Sequence, residues 1–305
     1  MSHDLPPPYY ASAAALQTEH RDIASVIKQL SETIAKTDQH FYNVGTLLQG
    51  YPDVVVAPPD LKDSWRVHRQ SFKDMIWEAR RAATFVETRN ETFIDGILPS
   101  IGDASKSKES KIERLATFIA RAPPEFLTSM EAPNKCREIN NSTPDLLKKY
   151  EENADKIVAS AQAEIAKLEA ERDKQKEKEK ASLEKKSRRS WFSYSGPAAA
   201  SPPPEHIDYD SMIIEEKQKI EAINNQRDNL KSRLADITFA LNTIPDQVGH
   251  CFLTVWNHLV NDATHLKNRL EGSTTDPMPD IPVVTTVYRE INLALKYYAT
   301  NVNKT

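Results

Sequence analysis

The chain has 305 residues, of which 28% are charged and 39% hydrophobic, and it contains seven glycines. Glycine supplies the positive φ angles that tight turns and phosphate loops require, so this composition argues against a glycine-rich nucleotide cradle. The net charge of −4 gives no overall positive field that would attract nucleic acid. Few turns and a low apolar share predict an all-α fold, an elongated bundle of long antiparallel helices that each bury one stripe.

The sequence predicts a protein that is made in soluble form in the cytoplasm. Two cysteines, Cys136 and Cys251, are too few for a disulfide framework, and we expect reduced thiols. The first ten residues lack the basic and apolar regions of a secretory signal, so any release would follow a non-classical route. No apolar run approaches the roughly 18 residues of a membrane-spanning helix. A membrane role would therefore require rearrangement or attachment to the surface.

The first half of the chain predicts a tail followed by helices. Residues 1–11 form a proline-rich tail. Apolar residues spaced three and four apart predict one helix over 12–50 and a second over 60–99. Residues 103–142 predict a shorter helix and then a proline-rich connection.

The most regular apolar pattern lies in the second half of the chain. Thr143 followed by Pro144 is typical of a helix start, with an N-cap and then proline at the first helical position. After a break, alternating steps of three and four continue for about sixty residues, as in a coiled-coil seam. The seam residues are Ile213, Ile220, Ile223, Leu230, Leu234, Ile237, Leu241, Ile244, Val248, Phe252, Val255, Leu259, Asp262, Leu266 and Leu270. The segments 143–190 and 207–272 therefore predict a long coiled-coil-like hairpin with a tip loop at 190–206. The predicted regions are the tail 1–11, the helices 12–142 on the bundle base, the hairpin 143–272 and a C-terminal helix in 273–305.

A charge run without an apolar stripe leads to the predicted tip. Residues 171–189 contain nine basic and five acidic side chains, a local excess of positive charge. One interpretation is a solvated extension of the helix. The other is a contact with an anionic membrane surface.

The tip combines basic residues with aromatic residues that a globular core would not easily reach. Such a group is typical of an interfacial anchor, with cations on lipid phosphates and rings at the depth of the headgroups. The alternative is a disordered loop in which the aromatic residues have no role. The candidate membrane-contact residues are Lys185, Lys186, Arg188, Arg189, Trp191, Phe192 and Tyr194.

A second candidate site lies in the N-terminal tail, where a P-P-x-Y pattern occurs in two overlapping registers. Segments of this kind bind as preformed polyproline II helices in the aromatic grooves of WW domains. Because such short patterns also arise by chance, an inert tail remains the alternative. The candidate residues are Pro6, Pro7, Pro8, Tyr9 and Tyr10.

The sequence offers no convergent set of groups for catalysis, so we expect no catalytic residues, no cofactor and no metal. G-x-S-x-G, Walker A and dinucleotide-binding fingerprints are absent from the sequence. His250, His258 and His265 lie on one predicted helix, but the H-E-x-x-H pattern of a helical zinc site is absent from the sequence. We therefore interpret these histidines as structural or surface residues, and the chain as a non-enzyme.

The end of the chain resembles a family of helical toxins. Residues 252–272 read FLTVWNHLVNDATHLKNRLEG, and residues 282–302 read PVVTTVYREINLALKYYATNV. Together they look like the closing segments of α-pore-forming toxins of the xenorhabdolysin, haemolysin BL and cytolysin A type. In those proteins a long helix ends in an aromatic-leucine pattern with D-x-x-x-L, before a turn and a last helix. The resemblance implies membrane association, with oligomerisation or pairing with a second helical component.

One departure from that family concerns the tip. The toxins carry a distinctly hydrophobic tongue or hairpin that enters the bilayer, whereas the tip here reads WFSYSGPAAASPPPEH and is only weakly apolar. With this departure, the resemblance implies a non-inserting component of a two-component system, or a relative of the pore-forming toxins that has lost the activity. The alternative function is a cytoplasmic coiled-coil scaffold or adaptor, BAR-like or recruited through WW domains, with no membrane-permeabilising activity.

Overall fold

The structure is a computed structural model that describes residues 13–50, 57–129, 131–190, 207–274 and 280–302. Within these ranges, the side chains of residues 13–21 and 186–190 are not described. These residues form helices and no strand, which confirms the predicted all-α helical bundle. The elements are α1 Ala13–Gln49, α2 Pro59–Glu91, a π-helical turn Thr92–Ile97, α3 Leu98–Gly102, α4 Lys108–Ile119, α5 Glu125–Thr128, α6 Glu131–Ser190, α7 Tyr209–Glu271 and α8 Ile281–Asn301.

The helices group into two compact units. Unit 1 comprises Met1–Asn43, Ser64–Thr143 and Arg233–Thr305, and unit 2 comprises Val44–Asp63 and Pro144–Ser232. Because α6 and α7 are 60 and 63 residues long, each of them contributes residues to both units, as do α1 and α2.

The core of unit 1 is rich in aromatic side chains. Phe41 of α1 stacks on Trp65 and on Phe72 of α2, with ring centroids 5.0 and 4.8 Å apart. Trp65 is buried, and its indole N–H donates a 2.9 Å hydrogen bond to the carbonyl of Phe41. The indole N–H therefore has a hydrogen-bond acceptor, and the apolar faces of the ring pack in the core, as a buried tryptophan requires.

Unit 2 contains α6 from Pro144 onward, α7 up to Ser232, and the junction between α1 and α2. Its buried residues follow the helical period, with Tyr150 and Ala154 on α6 facing the core. Gly50 ends α1 with a φ of 73°, a conformation that favours glycine. The side-chain amide of Gln226 on α7 donates a 2.8 Å hydrogen bond to the carbonyl of Leu47, in the last turn of α1, which also accepts from the N–H of Gly50 at 3.2 Å.

The structure extends the sixth helix beyond the predicted start at 143. α6 begins at Glu131, and Pro144 lies inside it. The hydroxyl of Thr143 donates to the carbonyl of Ile139 at 2.9 Å instead of capping a helix end. Cys136 and Ile139 are buried on the same face, so packing outweighs the backbone hydrogen bond that proline removes.

The region between α2 and α6 also differs from the prediction in detail. The helix predicted over 60–99 consists of α2, the π-helical turn and α3. The α-helical period, which the sequence predicts as continuous, is therefore interrupted at Thr92–Ile97. The proline-rich connection contains the short helix α5. Pro133 lies in the first turn of α6, where a backbone N–H would have no acceptor within the helix, so proline removes no hydrogen bond there.

The two cysteines are free, as predicted, and both are buried. Cys136 lies with its Sγ 3.2 Å from the Sδ of Met75 in the core of unit 1. Burial raises the pKa of Cys136 to about 12 and that of Cys251 to about 11. Both thiols are therefore uncharged at neutral pH and behave as small apolar side chains.

Candidate functional site

Ion pairs fix the antiparallel register of α6 and α7 within unit 2. Glu151 of α6 pairs with Lys231 of α7 at 2.7 Å, and Asp155, one turn further along α6, pairs with Arg227. Moving forward by one turn on α6 therefore moves back by one turn on α7, which is the register of an antiparallel pair. Exposed pairs of this kind contribute little to stability, but they select one alignment of two long charged helices.

The pairing reaches its end at Arg172. The Arg172 guanidinium donates a 3.1 Å hydrogen bond to Asp210, in the first turn of α7, and contacts Asp173 at 3.3 Å. Hydrogen bonds to Asp210 and then to Asp173 raise the pKa of Arg172 above its ordinary value. Because α7 begins at Tyr209, no residue of α7 lies alongside the turns of α6 that follow this ion pair.

Beyond Arg172, α6 continues to Ser190 as an extension that we call the α6 extension, residues 174–190. At 1.5 Å per residue, it is about 25 Å long. Every described side chain from 176 to 185 is exposed. The segment 174–189 carries eight basic and three acidic residues. The extension is therefore a charged helix that α7 does not cover, with an excess of positive charge.

Large apolar side chains are exposed at the same end of the α6–α7 pair. Leu183 on the α6 extension is 66% exposed, and Met212 and Ile214 in the first turns of α7 are 43% and 55% exposed. Ile207, just before α7, is also exposed. Ile213, which stands between Met212 and Ile214 in the sequence, is buried. The face of α7 that carries Ile213 therefore packs on α6. This end thus combines cations with apolar side chains that the packing leaves in solvent.

The structure describes part of the predicted membrane-contact set. Lys185 is exposed on the α6 extension. Lys186, Arg188 and Arg189 lie within the helical backbone of α6, which ends at Ser190. The remaining predicted residues, Trp191, Phe192 and Tyr194 at the tip and Pro6, Pro7, Pro8, Tyr9 and Tyr10 in the tail, lie outside the described residues.

The three histidines of α7 do not form a ligand set. His258 is buried in the core, and both His258 and His265 have interactions with neighbouring groups. Among the described residues, no group of three or more histidine, cysteine or acidic side chains is placed to hold a metal ion.

One serine and one histidine lie close together in unit 1. The Oγ of Ser142 is 2.8 Å from Nε2 of His68 and donates to the carbonyl of Ile139 at 2.8 Å. Burial lowers the pKa of His68, so its ring is neutral near pH 7. Ser142 lies one residue before Thr143, whose hydroxyl bonds to the same carbonyl. Both hydroxyls therefore bond back to the helix just before Pro144, as serine and threonine do in helix interiors.

Sequence reasoning missed the buried polar contacts that join α8 and α4 to the core of unit 1. Asn90, which is fully buried, donates to the carbonyl of Tyr288 at 2.8 Å. Arg89 donates to the carbonyl of Phe118 at 2.6 Å, and its guanidinium lies 3.9 Å from the ring centre of Trp256. The only sequence signal for these contacts is that two adjacent polar residues, Arg89 and Asn90, stand near the end of the apolar stripe of α2.

The fold and this site define the class of the protein as an all-α helical bundle whose paired long helices end in a basic helical extension. Among the described helices, none combines the length and the apolar character that crossing a bilayer would require. Comparison of the chain with models of protein families, with curated proteins and with solved structures gave no match.

Proposed function

We propose that this chain is a membrane-associating helical-bundle protein that contacts anionic lipid through the α6 extension and the adjoining tip. The observation that supports the proposal is the end of the α6–α7 pairing at Arg172 and Asp210, beyond which α6 continues with exposed side chains. A helix needs no excess of lysine and arginine to remain solvated. The excess of positive charge on this segment therefore favours an anionic partner.

The electrostatic contribution is large enough to hold the chain at a membrane surface. Each basic residue near an anionic leaflet contributes roughly 1 kcal/mol, within a Debye length of about 8 Å at physiological salt. The extension carries five more basic than acidic residues over 174–189. The described acidic residues on it, Glu177, Glu179 and Glu184, oppose this attraction, so we expect binding that depends strongly on anionic lipid content and on salt.

Apolar contacts would add to the electrostatic attraction. Leu183, Met212 and Ile214 expose their side chains at this end, and burial of apolar surface contributes about 25 cal/mol per Å². These side chains are too few for insertion of a helix, which agrees with contact at the depth of the headgroups. We further propose the relationship to α-pore-forming toxins and the assembly with itself or with a second helical component, which rest on the sequence resemblance alone.

A vesicle co-sedimentation experiment tests the proposal. The wild-type chain should bind vesicles that contain about one third phosphatidylserine and should not bind vesicles of phosphatidylcholine alone. Replacing Lys176, Lys178 and Lys180 with glutamine should weaken that binding by about tenfold or more, because three cations are removed from the contact. Dye release from the same vesicles separates permeabilisation from binding.

The matched control removes the same charge elsewhere. Lys108, Lys148 and Lys156 are exposed on other parts of the helices, and their triple replacement with glutamine should leave vesicle binding unchanged. Equal loss in the two triple variants would mean that net charge, and not the α6 extension, determines binding. Failure of the wild-type chain to bind either vesicle at physiological salt would favour the scaffold or adaptor function.

A further inference from the structure

A surface cleft of about 330 Å³ lies in unit 1 between α4 and the π-helical turn. One face of α4 lines it with residues at helical spacing, Ser110, Arg114 and Thr117, and Arg121 contributes from just beyond the end of α4. Buried side chains of Ile97 and Phe118 contribute the apolar part of the lining. The size of the cleft is at the lower end of the range for small-molecule sites, which is about 300–1,000 Å³.

The π-helical turn places Arg114 at this cleft. The turn Thr92–Ile97 interrupts the α-helical period, a feature that is frequent at functional sites. Gly96 lies on the turn, and a Cβ atom built there would come within 3.7 Å of Nη2 of Arg114. The guanidinium of Arg114 therefore lies close to the turn, at ordinary contact distance from this Cβ position.

The arginines around this cleft lack carboxylate partners. Neither Arg114 nor Arg121 forms an ion pair with any described residue. Arg89, behind Phe118, is 4% exposed and leaves its Nε and Nη1 groups without hydrogen-bond acceptors. Burial and the nearby charge of Arg121 lower the pKa of Arg89 to about 10. The guanidinium of Arg89 lies 4.0 and 3.9 Å from the ring centres of Phe118 and Trp256, so aromatic rings accompany this charge, whereas Arg114 and Arg121 are exposed at the cleft.

We propose that the cleft between α4 and the π-helical turn binds a phosphate group. Arg114 and Arg121 provide guanidinium donors, which match phosphate oxygens in pairs, and the cleft adds the hydroxyl of Ser110. The hydroxyl of Thr117 already donates to the carbonyl of Glu113 at 3.0 Å. Glu113 lies on the same lining and opposes an anion. Its carboxylate reduces the affinity of the site, so its removal should strengthen binding.

The proposal is independent of the membrane function, because every lining residue belongs to unit 1 and the α6 extension belongs to unit 2. The phosphate could belong to a soluble metabolite or to a lipid headgroup. Isothermal titration calorimetry with inorganic phosphate, pyrophosphate and glycerol phosphate tests the soluble source, and titration with vesicles that contain phosphatidic acid tests the lipid source. Chloride at matched ionic strength measures the unspecific effect of salt.

The expected result is saturable binding of at least one phosphate probe to the wild-type chain. The double variant Arg114→Gln/Arg121→Gln should bind about tenfold more weakly or worse, since charge-assisted hydrogen bonds are lost. Glu113→Gln should bind more tightly. These side chains are exposed, so the variants should keep the unfolding midpoint of the wild type, which is measured in the same samples.

A charge-matched control is Arg81→Gln/Arg137→Gln, which removes two exposed arginines away from the cleft. This control should bind like the wild type. The proposal is overturned if the wild type shows no saturable heat with any phosphate probe. It is also overturned if the Arg114/Arg121 variant binds equally well, or if the control loses as much affinity.

Discussion

The hydroxyl of Tyr288 on α8 donates a 2.6 Å hydrogen bond to Oδ2 of Asp262 on α7. Tyr288 is fully buried and Asp262 is 3% exposed, so the pair lies in the core of unit 1. A buried carboxylate is costly unless hydrogen bonds compensate for the loss of water, and a bond to a charged acceptor is short and strong. This bond therefore fixes one alignment of α8 on α7, which apolar contacts alone would not specify.

We expect Tyr288→Phe to lower the free energy of unfolding by about 1.5–3 kcal/mol, because it leaves the Asp262 carboxylate without this donor. Chemical denaturation followed by circular dichroism measures the change. Tyr297→Phe is the matched control, since Tyr297 lies on the same helix and is 41% exposed. A loss below about 0.5 kcal/mol for Tyr288→Phe would show that the bond does not stabilise the native state.

Two leucines of the α7 seam test the packing of unit 1. Leu241 is 2% exposed and Leu259 is fully buried, as the seam predicted. Each Leu→Ala substitution should destabilise the protein by about 2–5 kcal/mol, because it removes apolar contacts and leaves a cavity. Leu293→Ala on α8 is the control, since Leu293 is 66% exposed and should change stability by less than about 0.5 kcal/mol. Similar losses at all three positions would contradict the assigned core.

The seam could be predicted from the sequence because burial of one helix face imposes its period on the apolar residues. Leu230, Leu234 and Leu241 were found in this way, and all three are buried. Asp262 also stands at a seam position, but periodicity does not identify the hydrogen-bond partner of a residue, and Tyr288 lies on another helix. The hydrogen bond between them depends on how α7 and α8 pack, which a single sequence does not encode as a local pattern.

The candidate membrane site was predictable only in part. The charge run is visible in the sequence, and so is the loss of the apolar stripe after Leu168. What the sequence did not reveal is the register of α6 against α7, which places Arg172 opposite Asp210. The α6 extension follows from that register, since it consists of the turns of α6 that have no part of α7 beside them.

The stability of the fold should decrease when the pH falls below about 6.5, in part because of His68. Burial lowers the pKa of His68, so the unfolded state binds a proton more readily than the native state. Stability is then lost as the pH falls through the ordinary value of 6.5 towards the lowered value. His68→Asn keeps a polar group beside Ser142 but does not titrate. Denaturant midpoints between pH 5.5 and 7.5 should vary less in this variant, and an unchanged pH dependence would contradict the assignment.

The last prediction concerns the aromatic residues that directly follow the α6 extension. Replacing Trp191, Phe192 and Tyr194 with serine should abolish binding to anionic vesicles without changing helical content, because lysine and arginine attract the chain while the rings partition at the headgroups. The control is Tyr42→Ser, which removes an aromatic residue that is 52% exposed on α1. Co-sedimentation at physiological and at raised salt measures binding. Equal binding of the triple variant and the wild type would show that the tip rings do not contact the membrane.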